Sequence, residues 1–326
     1  MKKIILSSIV GIALFTGCSL REYYKPDKKH FVDKEISVDK ELNSEIKYFN
    51  KDVATLKNGE VLPTKQKLPD GFVALDNNLA KKGYILRVGD REITFDTLIM
   101  TATQNKNLVA ILFGDNHFEL YDLKQNKSIA SANFGEFLAT RKFIAKPYFY
   151  KDLLLIPTLN GKMIVFDIKS KKIIRSVVVT QKDYFNNIIY LGVKKDSLIV
   201  ASRDNILVIT PNMIFNKPYN IKHVLVSDYN IYLFTIEGDV IKLNLVLKPL
   251  KKVSFKYANI IAPTFVGKYI YFVENGDDSY LIRMNKNLEH IKVYPLDSPD
   301  LSEVNTFVKN GILYIGDKYI KLKDIK

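Results

Sequence analysis

Short apolar runs and tight turns alternate along most of the chain, most clearly over residues 153–179. An apolar run, Leu153–Thr158, is followed by a turn at Asn160-Gly161, a pair that tolerates positive φ. The next run, Met163–Ile168, is apolar at odd and even positions, and a basic turn leads into Ile173–Val179. Such runs are typical of strands that are covered on both faces. Because one meander cannot bury itself, the pattern predicts that copies of it pack together.

The same succession of apolar run, turn and apolar run recurs along the chain. Six further copies are Gly83–Phe95, Leu108–Leu123, Ser197–Ile209, Asn230–Leu245, Lys268–Met284 and Gly311–Leu322. Equivalent positions at the end of the second run lie 34 to 45 residues apart: Asp122, Asp167, Thr210, Asn244, Asn285 and Lys323. That period is about one four-stranded blade, whereas a sandwich or barrel needs no such regular repeat. The sequence therefore predicts an all-β fold, a β-propeller of seven blades, with six to eight compatible with the pattern.

The two ends of the repeat array are less regular than its middle. The last repeat, Glu303–Lys323, shows only three strands. A ring must close, so we expect the missing strand to come from the N-terminal side, around Ile46–Leu56. Val53–Leu62 and Gly71–Phe95 form an irregular first region, and eight blades follow if Val53–Leu62 belongs to a blade of its own.

The N-terminus has the three parts of an export signal. Lys2 and Lys3 are followed by an apolar run over residues 4–15 and by Thr16-Gly17-Cys18. The run is too short for a permanent membrane span. Cys18, the only cysteine, stands where the bacterial lipoprotein box has its lipidated residue; the alternative is an ordinary signal with an incidental cysteine. The resemblance implies a thioether diacylglycerol on Cys18 and cleavage after Gly17.

The predicted domain organisation has three parts. Residues 1–17 form a lipoprotein signal peptide, residues 18–50 a lipidated cysteine and a charged flexible tether, and residues 51–326 the β-propeller. Lys, Asp and Glu crowd the tether, so we expect it to be extended, with a short helix at Asp39–Ile46. Its function would be to hold the propeller clear of the lipid headgroups.

The net charge of +14 does not indicate nucleic-acid binding. Only 7 of the 49 basic residues are arginine, the side chain that nucleic-acid readers favour for bidentate contacts. The lysines are scattered through turns rather than gathered on one stripe. A solvated surface explains them, with a mild attraction to anionic headgroups as the alternative.

Candidate catalytic chemistry is sparse. The four histidines, His30, His117, His223 and His290, have no partner at metal-ligand spacing, and we expect them on the surface or at blade edges. The turn Asn275-Gly276-Asp277-Asp278 offers two carboxylates, which is weak evidence for a cation site. No nucleophile elbow, phosphate loop or dinucleotide fingerprint is present. We therefore predict no catalytic residue, no metal site and no cofactor.

One stretch resembles a known repeat. Residues 160–175, NGKMIVFDIKSKKIIR, are similar to the pyrroloquinoline-quinone-type propeller repeat, with Gly161 and Asp167 at its glycine and aspartate; residues 118–127, FELYDLKQNK, match more loosely. Ser170-Lys171 replaces its Thr-Gly, and Arg175 stands at its docking tryptophan in a chain that has no tryptophan. These departures argue against quinone binding and dehydrogenase activity.

A lipoprotein tether joined to such repeats, without a catalytic centre, resembles the BamB family of outer-membrane assembly lipoproteins. The resemblance implies a non-enzymatic propeller that is anchored in the outer membrane, faces the periplasm and binds the outer-membrane protein assembly machinery. Two alternatives remain open: a surface or periplasmic module that binds ligands or glycans, and a quinone-dependent or hydrolytic propeller enzyme with its site at the central channel.

Overall fold

The computed structural model describes residues 22–135, 144–180 and 187–325. Strands in these residues pair into eight separate sheets that follow one another along the chain. First strands of neighbouring sheets contact each other, so these strands are innermost. The eighth sheet packs on the first through a shared apolar cluster. The fold is therefore an eight-bladed β-propeller.

The strands of each blade run from the inner to the outer position in chain order. Blade 1 has β3 (Ile46–Phe49), β4 (Ala54–Leu56), β5 (Glu60–Leu62) and β6 (Gln66–Lys67). Blade 2 has β7 (Val73–Ala74), β8 (Leu79–Lys82), β9 (Ile85–Val88) and β10 (Arg91–Thr94). Blade 3 has β11 (Ile99–Asn105), β12 (Leu108–Phe113), β13 (His117–Asp122) and β14 (Lys127–Asn133). Blade 4 has β15 (Tyr148–Tyr150), β16 (Leu153–Pro157), β17 (Lys162–Asp167) and β18 (Lys172–Val178).

The second half of the ring is built in the same way. Blade 5 has β19 (Tyr190–Lys194), β20 (Ser197–Ala201), β21 (Asn205–Ile209) and β22 (Ile214–Pro218). Blade 6 has β23 (Ile221–Val226), β24 (Asn230–Thr235), β25 (Asp239–Asn244) and β26 (Pro249–Ser254). Blade 7 has β27 (Ile260–Val266), β28 (Tyr269–Asn275), β29 (Ser279–Asn285) and β30 (Lys292–Asp297). Blade 8 has β31 (Thr306–Lys309), β32 (Ile312–Ile315) and β33 (Lys318–Lys321), followed by a 3-10 turn at Leu322–Asp324.

The apolar core is divided among the interfaces between blades. Each of eight buried clusters joins two neighbouring blades, and together they go around the ring. On β17, Phe166 faces blade 3 and packs edge-on against Phe118, with 5.5 Å between ring centroids. Its neighbour Val165 belongs to the cluster shared with blade 5. Apolar residues at successive positions are thus buried on opposite faces, which confirms the predicted two-sided covering.

The prediction of seven blades is wrong, and the structure gives eight. Blade 1 comes from the region expected to be irregular, and its residues Ala54, Leu56 and Val61 are at most 1% exposed. Its strands have only two to four residues, so the alternating pattern is too short to stand out. Val53–Leu62 contributes to a blade of its own, the condition under which eight blades were expected.

The ring closes at a different strand from the predicted one. The fourth strand of blade 8 is β2 (Lys40–Glu41), which runs antiparallel to β33 with Lys40 opposite Tyr319. The predicted closing segment, Ile46–Leu56, instead forms β3 and β4 of blade 1. An outermost strand is solvated along one edge, so a short polar strand can fill that position.

The chain before blade 1 lies along blades 7 and 8. β1 (Ile36–Ser37) adds a fifth, parallel strand to blade 7 by pairing with β30, with Ile36 opposite Leu296. Farther upstream, the Tyr24 ring packs edge-on against Phe255 and Tyr280 at 6.0 and 5.9 Å. The helix predicted at Asp39–Ile46 is wrong, since this stretch contains β2 and the start of β3. Propeller strands therefore begin before residue 51.

Candidate functional site

The outer edge of blade 4 is the most apolar exposed strand edge in the described part of the chain. Ile173, Ile174 and Val178 on β18 are 45%, 57% and 46% exposed, and no described strand pairs with the outer edge of β18. We call Lys172–Val178 the blade-4 edge. The outer strand of blade 3, β14, has no large apolar side chain with comparable exposure.

A tight turn before β18 sets the direction of the blade-4 edge. The Asp167 Oδ1 accepts hydrogen bonds from the Ser170 backbone N–H at 2.6 Å and the Ser170 hydroxyl at 2.7 Å. These bonds hold the pKa of Asp167 below its usual value. Lys171 follows with a φ of 56°, the left-handed conformation for which the related repeat has glycine. Ser170-Lys171 thus reproduces the turn made by Thr-Gly, and Arg175, at the tryptophan position, is exposed.

A second candidate site is a cavity of about 670 Å³ in the central channel, lined by strands and loops of blades 1 to 5 and by Asn305 before blade 8. Asp52 is one of the lining residues, and its Oδ2 is 2.8 Å from Lys146 Nζ and its Oδ1 is 3.2 Å from Lys309 Nζ. Burial raises the pKa of the Asp52 carboxyl, but the two lysines outweigh burial and hold it below its usual value. These ion pairs tie together blades 1 and 8 and the chain that enters blade 4.

Another lysine of this cavity is bound to the backbone rather than to an acid. Lys81 Nζ donates to the carbonyl oxygens of Ile99 and Met100 at 2.7 and 2.9 Å. A register shift in β11 at Met100 interrupts the pairing with β12 there. Burial lowers the pKa of Lys81 to about 8.

The histidines are dispersed over the propeller. His117 stacks on Phe113 at 4.2 Å, with its Nδ1 2.5 Å from Asp115 Oδ1. His223 departs from the predicted edge position, since it lies within the innermost strand β23 and its Nε2 is buried, with no hydrogen-bond partner in the part of the chain that the structure describes. No group of three or more His, Cys, Asp or Glu in the described ranges could hold a metal ion.

The acidic turn predicted as a weak cation site borders a groove of about 1100 Å³ beside blade 7. Asp277 and Asp278 line this groove together with Glu22, Glu35 and Asp300. Just below it, Glu274 is 1% exposed, and its Oε1 accepts a hydrogen bond from the Asn259 backbone N–H at 3.3 Å. Burial raises the pKa of Glu274 to about 7.

The predicted lipidation site, Cys18, lies outside the described residues. Across residues 22–135, 144–180 and 187–325, no helix has the length and apolar character needed to cross a membrane.

Asparagine side chains that link blades were missed by sequence reasoning. Asn116, fully buried, accepts the Leu159 N–H at 2.8 Å and so joins blade 3 to blade 4. Asn305 donates to the Ile46 carbonyl at 2.9 Å across the point of ring closure. Further links of this kind are made by Asn50, Asn160, Asn205 and Asn275. Except for Asn305, which precedes β31, they lie at or next to hairpin turns, and that position is the sequence signal that could have identified them.

Comparisons with known proteins agree with a propeller scaffold. No family model matches the chain. The plasminogen-binding protein PgbB of Helicobacter pylori is similar along the whole chain. The strain J99 protein is 22% identical over an alignment of length 395 and the strain 26695 protein 23% identical over an alignment of length 394, and each alignment covers 100% of this chain and 72% of the relative.

Solved structures with the same fold include BamB from Moraxella catarrhalis, with a TM-score of 0.56 and 15% identity over 81% of this chain and 78% of that one. The computationally designed Ika8 protein gives a TM-score of 0.58 and 12% identity, covering 86% of this chain and 96% of its own. The C-terminal WD40 domain of Sif2 gives a TM-score of 0.59 and 13% identity, covering 86% of this chain and 95% of its own. The predicted resemblance to the BamB-type propeller is therefore confirmed for the fold.

Proposed function

We propose that this protein is a non-enzymatic β-propeller scaffold that binds a protein partner at the blade-4 edge. The observation that carries the proposal is the exposed apolar strand β18, whose outer backbone edge is unpaired in the described residues. An unpaired strand edge can bind an extended segment of another chain by β-augmentation. Main-chain hydrogen bonds would supply affinity, and contacts with Ile173, Ile174 and Val178 would supply selectivity.

Blade 7 supports this proposal because its outer edge already carries an added strand. β1 pairs in parallel with β30, and the Val38 N–H continues the pairing by donating to the Asp297 carbonyl at 3.0 Å. With β1 in place, Val293 and Tyr294 of β30 are fully buried. A strand bound to β18 would cover the blade-4 edge in the same way.

Charge around the blade-4 edge favours a partner with acidic flanks. Lys171, Lys172 and Arg175 surround the two isoleucines, and Lys169 is ion-paired with Asp152 at 2.8 Å. Basic residues on an edge strand discourage pairing between identical edges. The best-matched partner is therefore an extended apolar segment that is flanked by Asp or Glu.

The finer proposal is that the scaffold is an accessory of outer-membrane protein assembly. Lipidation of Cys18 would anchor it in the outer membrane, with the propeller facing the periplasm. The export-signal pattern and the BamB-like fold support this placement. The dispersed histidines and the exposed Arg175 at the tryptophan position support the absence of an enzymatic role.

Affinity capture from detergent-solubilised envelopes tests the proposal. The wild-type protein is expected to retain barrel-assembly components, and Ile174→Lys on β18 is expected to lose them. Ser131→Lys is the matched control, because Ser131 is an exposed residue on β14, the equivalent strand of blade 3. Both variants should unfold at the wild-type temperature. Equal capture by wild type and Ile174→Lys, or no assembly component in any sample, would contradict the proposal.

A second candidate function is binding of a host protein at the cell surface, favoured by a similarity to a plasminogen-binding protein that covers this whole chain and 72% of the relative. Protease treatment of intact cells separates the two functions. Cleavage in whole cells, together with retention of plasminogen by the purified protein, would support the surface function. Protection until the outer membrane is breached would support the periplasmic one.

A further inference from the structure

We propose that the channel cavity binds an organic carboxylate with an apolar body, through the ammonium group of Lys51. The cavity of about 670 Å³ is within the usual range for small-molecule sites. Four lysines line it, Lys47, Lys51, Lys81 and Lys146, against the carboxylates of Asp52 and Asp76. Its electrostatic character is therefore cationic.

The carboxylates of the cavity already have partners. Asp52 uses one oxygen for Lys146 and the other for Lys309. Asp76 Oδ1 accepts the backbone N–H groups of Asn78 and Leu79 at 2.8 and 2.7 Å. Neither acid forms an ion pair with Lys51 within the described residues, although Asp52 is its neighbour in the chain.

Lys51 is held over an aromatic ring. Its Nζ lies 4.3 Å from the centroid of the Tyr190 ring, a cation–π contact. Burial lowers the pKa of Lys51, Asp52 opposes that effect, and Lys309 and Lys146 lower the pKa further. Lys51 is exposed and lines the cavity, and it forms no ion pair within the described residues, so an incoming carboxylate would pair with its ammonium group through a charge-assisted hydrogen bond.

The rest of the lining indicates the body of the ligand. Tyr48, Tyr148 and Tyr190 stand around the cavity with Met100, Ile144 and Ile189. Aromatic and aliphatic walls with one convergent charge favour a ligand that has an apolar or aromatic body and an acidic end. Innermost strands of several blades supply these side chains, so the site is formed before the ligand arrives.

Isothermal titration calorimetry with 3-phenylpropionate tests the inference, with 3-phenylpropanamide as the neutral control. The acid is expected to bind and the amide to bind at least about 10-fold more weakly, a difference of about 1.4 kcal/mol, because the neutral amide cannot form an ion pair with Lys51. Lys51→Met, which keeps the apolar stem, should weaken binding of the acid by about 10-fold or more, and Lys51→Arg should retain it. Lys169→Met, on an exposed turn of blade 4, is the matched control and should bind as wild type.

Titrations with a second carboxylate, N-acetyl-Gly-Phe, distinguish a peptide end from a free metabolite as the source of the carboxylate. Tighter binding of N-acetyl-Gly-Phe than of 3-phenylpropionate would indicate the end of a peptide, and weaker binding would indicate a free metabolite. Equal affinity for acid and amide, no heat with either carboxylate, or an unchanged Lys51→Met would overturn the inference. Circular dichroism of each variant excludes unfolding as the cause. Because Ile174→Lys lies outside the cavity, it should bind the acid normally whatever its effect on partner capture.

Discussion

Replacement of Glu274 by glutamine should change how stability depends on pH. Glu274 lies on β28, is 1% exposed, and has one carboxylate oxygen, Oε2, without a hydrogen-bond partner among the described residues. Its pKa is raised to about 7, chiefly by burial and to a smaller extent by Asp278, while backbone hydrogen bonds from Asn259 and Gly276 and the charge of Lys222 oppose the rise. Glutamine has the shape of the protonated acid and keeps the Oε1 acceptor, so Glu274→Gln imitates the low-pH state.

The magnitude follows from the two pKa values. The folded value of about 7 exceeds the ordinary 4.5, and at about 1.4 kcal/mol per pKa unit the difference corresponds to about 3 kcal/mol. Since the folded state holds the proton more tightly, this stability is fully present below pH 4.5 and is lost as the pH rises through about 7. Glu274→Gln should therefore match wild type near pH 4.5 and exceed it by about 3 kcal/mol well above pH 7.

His223 changes the pH dependence of stability in the opposite direction. Burial lowers its pKa from 6.5 to about 3, with smaller contributions from Lys222 and Arg203, while a hydrogen bond with the backbone of Ile260 opposes the shift. Its contribution to stability is present above pH 6.5 and is lost as the pH falls. Between pH 4.5 and 6.5 the two groups nearly cancel, so wild-type stability should vary little. In Glu274→Gln only the histidine effect remains there, and stability should rise with pH.

Denaturant titrations followed by circular dichroism and tyrosine fluorescence measure these curves, because the chain has 19 tyrosines and no tryptophan. Coincident transitions by the two probes establish two-state behaviour. Lys81 and Lys222, with pKa values lowered by burial to about 8, affect stability between about pH 8 and 10.5, so the comparison is made at pH 5 and 7.5. Glu303→Gln, at an exposed glutamate, is the control and should follow wild type. A Glu274→Gln profile parallel to that of wild type would refute the reasoning.

Three further predictions concern the fold and the anchor. Ile36→Ala on β1 should lower the free energy of unfolding by about 2 kcal/mol, since Ile36 is 6% exposed; an unchanged melting temperature would contradict its place in the core. Asn116→Ala should cost about 2 kcal/mol, because it leaves the buried Leu159 N–H without a partner and puts alanine at a φ of 66°; Asn116→Gly removes the second effect and should cost less in the same denaturant titration. Cys18→Ala should abolish the acyl mass in mass spectrometry and leave an unanchored or unprocessed precursor, while circular dichroism of the propeller stays unchanged. A wild-type protein without an acyl mass would refute the lipoprotein prediction.

The sequence alone determined the class of fold. Strands such as Met163–Ile168 are apolar at successive positions, and only a structure that covers both faces of each sheet can bury them. The turn at Asn160-Gly161 was also readable, because this pair next to an apolar run tolerates positive φ, and Gly161 has a φ of 77°. That Lys171 could take the same conformation was not evident from its residue type.

Only the tertiary structure decided the number of blades, the closing strand and the composition of the channel. Blade 1 and the closing strand Lys40–Glu41 use strands of two to four residues, too short for their periodicity to be recognised. Lys51, Lys81 and Lys146 are far apart in the chain and meet because each is carried by a different blade. The apolar pattern of a strand shows which faces of its own sheet are buried. It does not show which residues of distant blades come together at the central axis, because that depends on how many blades close the ring.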